Sequence, residues 1–317
     1  MEFRSGASAV QNLADRGEEV LRSDLATILR RALRDLLEGE GDLPRTAQEG
    51  TSAALAILHP AGPGNPHTFT LVHYRGEQEF FPGDLVSLFI LAGVALQAQK
   101  GAIVEDEHVE RDILRMVRAR DADSANLLID RVTGTLSGPE MPEANLDMFR
   151  KRRGTLDALL RGIGVSGTRC EQKIWDRTPY GRDAQLLGPG RSGDNRATSM
   201  AVAILFARLL QGQVGSAEAS AKVLELLRAE TSGPPFSACR PRLSAGVPAG
   251  ALIWGWRTAG ARLLHEAVAV ELPTGARYCL ALLSHLGERN ALILESLGRR
   301  VADGISALVE NAELPLS

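Results

Sequence analysis

Apolar residues recur along the chain with two different periods, and the change of period divides the sequence into helices and strands. A stripe of helical spacing follows Ser23, which we interpret as an N-cap, and Gly39 predicts its end. Two strand-like runs at 53–58 and 68–74 enclose a turn rich in Gly and Pro and predict a hairpin. Towards the C-terminus, the pattern predicts three strands and a last helix, at 251–256, 266–272, 277–284 and 290–309.

The middle of the chain has helical periodicity. It opens with a strongly apolar helix over 84–99, and Asp84 stands where a helix N-terminus favours a carboxylate. Five further helices are predicted, at 109–118, 124–133, 154–163, 199–211 and 217–229. The stretches 134–150 and 168–197 are predicted to be long loops, which are typical of functional segments or Ω-loops.

This order of elements predicts an α/β fold of the α+β type. We expect one integrated domain with a flexible N-terminus (1–20), a sheet subdomain (21–80 and 235–317) and a helical subdomain (81–234). The simplest assembly is a five-stranded antiparallel sheet that the N- and C-terminal helices cover on one face. The helical block would then lie against the other face.

Composition and charge narrow the function classes. The formal net charge of −3 gives no basis for nucleic-acid binding. Cys170, Cys239 and Cys279 form no CxxC pair, so no metal site and no disulfide framework are expected, and no cofactor-binding motif is found. No apolar run is long enough to span a membrane, and the first twenty residues hold no apolar leader segment, which predicts a cytoplasmic protein.

Four stretches at the joints between these elements resemble, in order, the motif regions of the class A β-lactamases and related penicillin-recognising serine hydrolases. Residues 81–89 resemble the segment of the Ser-x-x-Lys motif, and residues 120–128 resemble the Ser-Asp-Asn segment with its helix. The third stretch, at 132–140, 172–175 and 179–182, resembles loop sequences of that family. The fourth, at 253–258, 265–267 and 271–273, resembles its Lys-Thr/Ser-Gly strand with the following hairpin. The resemblance runs from about residue 20 to the end, and it implies the β-lactamase/transpeptidase-like fold.

The resemblance also shows which catalytic groups this chain lacks. In that family a Ser hydroxyl attacks a carbonyl, and a Lys one helical turn later assists its deprotonation. Here Asp84 matches the nucleophile and Ser87 matches the lysine. In the second motif Arg120 and Ala122 replace the Ser and the Asn, and Asp121 alone remains. Losing one member of such a unit can cost roughly 10⁴- to 10⁶-fold in rate, so no serine β-lactamase chemistry is expected.

The third motif leaves two registers open. In the first, Trp256 stands where the family has the Lys that binds a substrate carboxylate. In the second, Arg257 and Thr258 stand there and keep a cation and a hydroxyl. In the loop where true β-lactamases have a deacylating carboxylate, this chain offers Thr178 and Pro179 instead.

The sequence therefore predicts a catalytically inactive member of the family. It would bind a ligand or partner in the cleft that forms the active site of the catalytic members, or it would have a structural role. The residues expected to line this cleft are polar apart from two aromatic rings: Asp84, Ser87, Arg120, Asp121, Tyr180, Trp256, Arg257 and Thr258. The alternative is a filled cleft, in which Asp84 caps its helix, Arg120 pairs with an acid and Trp256 occupies the space.

Two further hypotheses remain open. Asp84, Asp121 and Glu266 could support a hydrolase with carboxylate-based chemistry, although an ion pair made by Arg120 would oppose it. A scaffold or homodimer could dock through the basic run 150–153, for which a solvated helix face is the simpler interpretation.

Overall fold

The computed structural model describes residues 17–38, 49–59, 68–175, 178–229 and 241–313. These residues form two compact units. The first unit contains the described residues up to 78, residues 202–207 and those from 228 onwards. The second contains residues 79–201 and 208–227.

A five-stranded sheet forms the centre of the first unit, in the order β2-β1-β7-β6-β5. Its strands are β1 (Thr51–Leu58), β2 (Phe69–Tyr74), β5 (Leu252–Ala259), β6 (Leu264–Glu271) and β7 (Arg277–Ser284), while β3 and β4 belong to the second unit. All four neighbouring pairs are antiparallel. The predicted hairpin and the five-stranded antiparallel sheet are therefore confirmed.

The two faces of this sheet differ in side-chain size. Registers across β1, β7 and β6 place small residues side by side on one face, namely Ala54, Ala56, Cys279, Ala281, Ala267 and Ala269. The other face carries Leu55, Leu280 and Val268, all fully buried. Because both faces of β1 and β7 are buried, these strands are near-continuous apolar runs with little polar alternation.

Two long helices pack on the face with the larger side chains. They are α1 (Glu18–Glu38) and α10 (Leu292–Glu313), which contribute Leu25, Leu29, Leu297, Val301 and Ile305 to the core of this unit. The helices approach closely at Gly304, where an added Cβ would lie 2.8 Å from Ile28 Cγ2. Since α1 begins at Glu18, the predicted N-cap at Ser23 is wrong: Ser23 lies inside the helix. Gly39 and residues 1–16 lie outside the described residues.

The second unit is built around α2 (Val86–Gln99), whose residues 86–96 are all buried. A helix that is apolar all round needs neighbours on every side. Four helices contact it: α3 (Glu107–Arg118), α4 (Ala122–Thr133), α6 (Thr155–Gly162) and α9 (Ala217–Leu227). Packing against α6 is tight at Gly93, where a Cβ would lie 2.5 Å from Leu156 Cδ1. One further helix, α8 (Ser199–Leu210), has residues in both units.

The two predicted long loops contain regular structure, so that prediction was wrong. They include α5 (Glu143–Arg153), α7 (Gly181–Leu187) and the antiparallel pair β3 (Thr168–Arg169) and β4 (Arg196–Ala197). Helix α5 escaped detection because its only buried side chains are Leu146, Phe149 and Arg153, which is too few for a recognisable apolar stripe.

No helix in the described parts of the chain has the length and apolarity that crossing a membrane requires.

Candidate functional site

The residue that matches the family nucleophile lies in a 3₁₀ turn, Gly83–Leu85, directly before α2. Asp84 is in the middle of this turn and Leu85 is the N-cap residue of α2, so Asp84 is not the helix cap. Its Oδ2 atom lies 3.3 Å from Arg120 Nη1, and both side chains are largely shielded from solvent. Ser87 follows in the first turn of α2 and is 3% exposed.

Arg120 makes this ion pair from an unusual backbone conformation. Its φ angle is +55°, which non-glycine residues seldom adopt. It directly precedes Asp121, the N-cap residue of α4. The strained backbone thus allows the Arg120 side chain to reach Asp84 while the next residue begins a helix.

Asp121 has its own partners. Ser124 Oγ donates to Asp121 Oδ2 at 2.6 Å, and Arg115 Nε lies 3.1 Å from the same oxygen. The hydrogen bond from Ser124 lowers the pKa of Asp121, and Arg115 acts in the same direction. Ala122, the first residue of α4, brings no polar side chain.

A cavity of about 210 Å³ lies beside Asp84, entirely within the second unit. Strand pairing brings its walls together: β4 pairs with β3 on one side and bridges to Phe80 on the other. The cavity is lined by three chain segments that follow or precede these pairings, with Phe81, Gly83 and Asp84, then Gln172, Lys173, Ile174, Trp175 and Pro179, then Leu187, Arg191, Asp194 and Asn195.

Two asparagine side chains hold the wall segment 172–175. Gln172 N donates to Asn195 Oδ1 at 2.8 Å, and Asn195 Nδ2 donates back to Gln172 O at 2.9 Å. Asn126 on α4 does the same for Ile174, with bonds of 2.7 and 2.8 Å. The carboxamide of each asparagine thus bonds to the main-chain N–H and C=O of one loop residue, and together they fix the main chain of the loop.

A buried network of charged side chains also holds this wall segment in place. Lys173 Nζ donates to Asp130 Oδ2 at 2.5 Å and to Ser137 Oγ at 2.7 Å. Arg153 Nη2 lies 3.2 Å from Asp130 Oδ1 and donates to Asp183 Oδ1 at 2.9 Å. Burial raises the pKa of Asp130 and lowers that of Arg153.

This network corrects the interpretation of the basic run 150–153 as a single exposed patch. Arg153 is 0% exposed and points into the unit, whereas Lys151 and Arg152 are exposed. A helix turns by about 100° per residue, so four consecutive residues cannot all face solvent when the helix packs on one side.

Two side chains of the cavity have unused hydrogen-bonding groups. Gln172 is 4% exposed, and neither its Oε1 nor its Nε2 has a hydrogen-bond partner among the described residues. The same holds for Nε1 of Trp175 within that part of the chain. Tyr180, an expected cleft residue, is exposed and packs edge-on against Trp175 with ring centroids 5.8 Å apart. Sequence reasoning placed Gln172 in a family-like loop but did not include it among the expected site residues.

The remaining expected site residues lie on β5 in the first unit. Trp256 and Thr258 are buried on the sheet face that carries the small residues. Arg257 lies on the opposite face, where it bonds to Glu266 at 2.9 Å and to Glu288 at 3.2 Å. The register with Arg257 and Thr258 therefore cannot present its cation and its hydroxyl on one face, because neighbouring strand residues alternate.

Glu266, the neighbour of Arg257 on β6, is fully buried. Its Oε2 accepts a bond from Leu243 N at 3.0 Å and its Oε1 accepts from Arg257. Burial outweighs these bonds and raises the pKa of Glu266 to about 7. Among the residues described, no group of three or more His, Cys, Asp and Glu side chains could hold a metal ion.

Comparison with known proteins identifies relatives of this architecture. The model of the β-lactamase enzyme family matches residues 148–305. The solved structure of PBP-A is similar with a TM-score of 0.59 and 16% identity, covering 88% of this chain and 96% of that one. The β-lactamase of Sphaerobacter thermophilus gives 0.56 and 15%, covering 91% and 98%. An ancestral Gram-negative class A β-lactamase gives 0.57 and 18%, covering 87% and 99%. At such identities a shared fold is what these structures establish. No curated protein sequence matches the chain.

Proposed function

We propose that the chain is a non-catalytic member of the β-lactamase enzyme family, whose model matches residues 148–305, and that it binds a small molecule beside Asp84. The expected acyl-transfer chemistry is replaced by binding, and the 210 Å³ cavity is the binding site.

The observation that carries the loss of catalysis is the ion pair between Asp84 and Arg120, with 3.3 Å between the charged atoms. A carboxylate bound to a guanidinium is a weak nucleophile, because attack would require it to give up that partner. Ser87, one turn later, is followed three residues on by Ile90, which supplies no base. Lys173 lines the cavity, but Asp130 and Ser137 already accept its ammonium protons.

Carboxylate-based hydrolysis receives no support from the same contacts. Such chemistry needs two acids in one site whose pKa values are pushed apart. Asp84 is paired with Arg120, and Ser124 holds the pKa of Asp121 below its usual value. Glu266 has a raised pKa, but Leu243 N–H and Arg257 occupy both of its oxygens.

Ligand binding is supported by the construction of the cavity wall. Paired asparagine bonds hold the main chain at Gln172 and Ile174, so the wall is preorganised and a ligand need not order it. The wall also contains two largely buried polar side chains, Gln172 and Trp175, whose amide and indole groups have no hydrogen-bond partner among the described residues.

Two measurements test this function. Intact-protein mass spectrometry after incubation with benzylpenicillin should show an unchanged mass, for the wild type and equally for Asp84→Ser, in which Ser87 still supplies no base. A fragment screen by ¹H–¹⁵N NMR should reveal small molecules that shift the indole N–H signal of Trp175. A covalent penicillin adduct on the wild type would overturn the loss of catalysis, and a screen without any shift at Trp175 would overturn binding.

A further inference from the structure

We infer that the second unit contains a further binding site, a groove along α5 and α6 with several cations in its lining, and that this groove binds an acidic peptide segment of a partner protein. The groove shares no lining residue with the cavity beside Asp84. The inference therefore stands apart from the function proposed for that cavity.

The groove has a volume of about 740 Å³ and lies entirely within the second unit. Most of its lining comes from α5 and α6, which a single residue, Gly154, separates. The rest comes from the C-terminal end of α2 and from Glu171, which follows β3. Each of these segments belongs to the stretch 68–175, which the structure describes without a break.

The shape of the groove suits a chain segment. Its lining residues on α5 and α6 recur at helical spacing, at 147, 150–151, 154–155, 158–159 and 161, so they form one stripe along both helices. At a rise of about 1.5 Å per residue this stripe extends over roughly 20 Å. An extended peptide advances about 3.3 Å per residue, so about six of its residues would span the stripe.

The charge of the groove selects an acidic segment. Lys100, Lys151 and Arg161 line the groove and are exposed, and the side chain of none of them forms an ion pair or hydrogen bond with the described residues. Arg150 also lines the groove, but it is paired with Asp147 at 2.8 Å. Carboxylates on a ligand can therefore pair with three cations without displacing an acid that already holds them, and their combined potential favours an acidic partner.

Glu171 opposes this preference from within the groove. It is a half-buried carboxylate, and its Oε1 lies 3.4 Å from where a Cβ atom on Gly154 would be. Burial raises the pKa of Glu171 and the charge of Asp157 acts in the same direction, whereas nearby arginines lower it. Since Glu171 has the same sign of charge as the ligand, its neutralisation should strengthen binding.

A peptide suits the groove better than a nucleic acid does. Proteins that bind single-stranded nucleic acids stack the bases on aromatic side chains, and none of the described residues that line the groove is aromatic. The formal net charge of the chain is −3, so an acidic ligand gains no general attraction from the protein as a whole. Binding of such a ligand would report the local charge of the groove.

The test is an NMR titration of the ²H,¹⁵N-labelled full chain with acetylated and amidated hexaglutamate at about 100 mM NaCl. We expect the backbone amide signals of Gly154, Thr155 and Ala158 to shift. The dissociation constant should rise when NaCl is increased to about 300 mM, because salt screens exposed charges. Hexaserine and hexalysine should not shift these signals, and a strand of six thymidine nucleotides should bind more weakly than hexaglutamate.

Variants at the groove locate the effect. Lys151→Glu and Arg161→Glu should each raise the dissociation constant about fivefold or more, since each removes an attraction and adds a repulsion. Arg152→Glu is the matched control, because Arg152 is exposed on the same helix but does not line the groove. It should raise the dissociation constant by less than about twofold. Glu171→Gln should lower it about twofold or more.

Four results would overturn the inference: no shift at the groove signals, equal losses in Arg152→Glu and Lys151→Glu, binding of the thymidine strand as tight as that of hexaglutamate, and groove signals that change with protein concentration alone, which would assign the groove to a second copy of the chain. Ligand binding beside Asp84 is measured at Trp175, which does not line the groove. The proposed function and this inference can therefore fail independently.

Discussion

Asn195 binds the main chain of Gln172 in both directions, accepting its N–H at 2.8 Å and donating to its carbonyl at 2.9 Å. Both residues are buried, so neither bond competes with water. This pair separates two properties of one residue: the Gln172 main chain is structural, and its buried side-chain amide has no hydrogen-bond partner among the described residues. The first two predictions address these properties separately.

Replacing Asn195 by Ala should destabilise the protein by about 2–3 kcal/mol, because it removes two bonds and leaves the buried N–H and C=O of Gln172 without partners. Urea denaturation measures the free energy of unfolding. Asn145→Ala, at an exposed position on α5, should change it by less than about 0.5 kcal/mol. Equal effects of the two variants would mean that Asn195 does not hold the loop.

Replacing Gln172 by Leu should instead raise the free energy of unfolding. The change removes two buried polar atoms that lack partners in the described part of the chain, and it keeps a side chain of similar size. We expect a gain of about 1 kcal/mol in the free energy of unfolding, visible as a higher melting temperature. Gln99→Leu, the same change at an exposed glutamine, is the matched control and should leave the melting temperature near that of the wild type. A loss of stability in Gln172→Leu would show that the amide is satisfied within the folded protein.

Two adjacent arginines on α5 should contribute very different amounts to the free energy of unfolding. Arg153→Met leaves Asp183 without its buried counter-charge and Asp130 with Lys173 alone, and breaking such a network costs about 3–5 kcal/mol. Arg152→Met, one residue away at an exposed position, should cost less than about 0.5 kcal/mol. Chemical denaturation of the two variants measures the difference. Similar values for both would contradict the burial of Arg153.

Stability should depend on pH through Glu266. Burial raises its pKa in the folded protein from the usual 4.5 to about 7. Between these values the folded protein keeps the proton and the unfolded chain has lost it, so stability falls as pH rises from about 4.5 to 7. The loss should be on the order of 2 kcal/mol relative to Glu266→Gln, which cannot titrate. Denaturation curves of both proteins at pH 5 and pH 7.5 measure it. A stability difference between them that does not change with pH would refute the raised pKa.

The order of elements could be predicted from the chain alone. Strand β7 has the predicted bounds, 277–284, because its apolar run ends at polar and turn residues on both sides. The absence of the family's serine and lysine at the matched positions stays a prediction from the resemblance, since it depends on which residues are matched to the motif. Three buried residues were not enough to predict α5, since the rest of that helix is polar.

Which side chains form the site could be determined only from the folded protein. Strand alternation alone places Arg257 and Thr258 on opposite faces of β5, but only the assembled sheet shows which face receives Glu266. Nothing in the local sequence distinguishes Gln172 from an exposed loop glutamine. The residue that holds its main chain, Asn195, lies 23 residues after it, and the one that holds the neighbouring Ile174, Asn126, lies 46 residues before Gln172.

Local sequence determined the helices and strands and the residue types at each motif position, because hydrophobic periodicity and residue identity are local properties. Tertiary structure decided which polar groups are buried, which charges are paired and which amide has no partner among the described residues, because each of these depends on contacts between segments far apart in the chain.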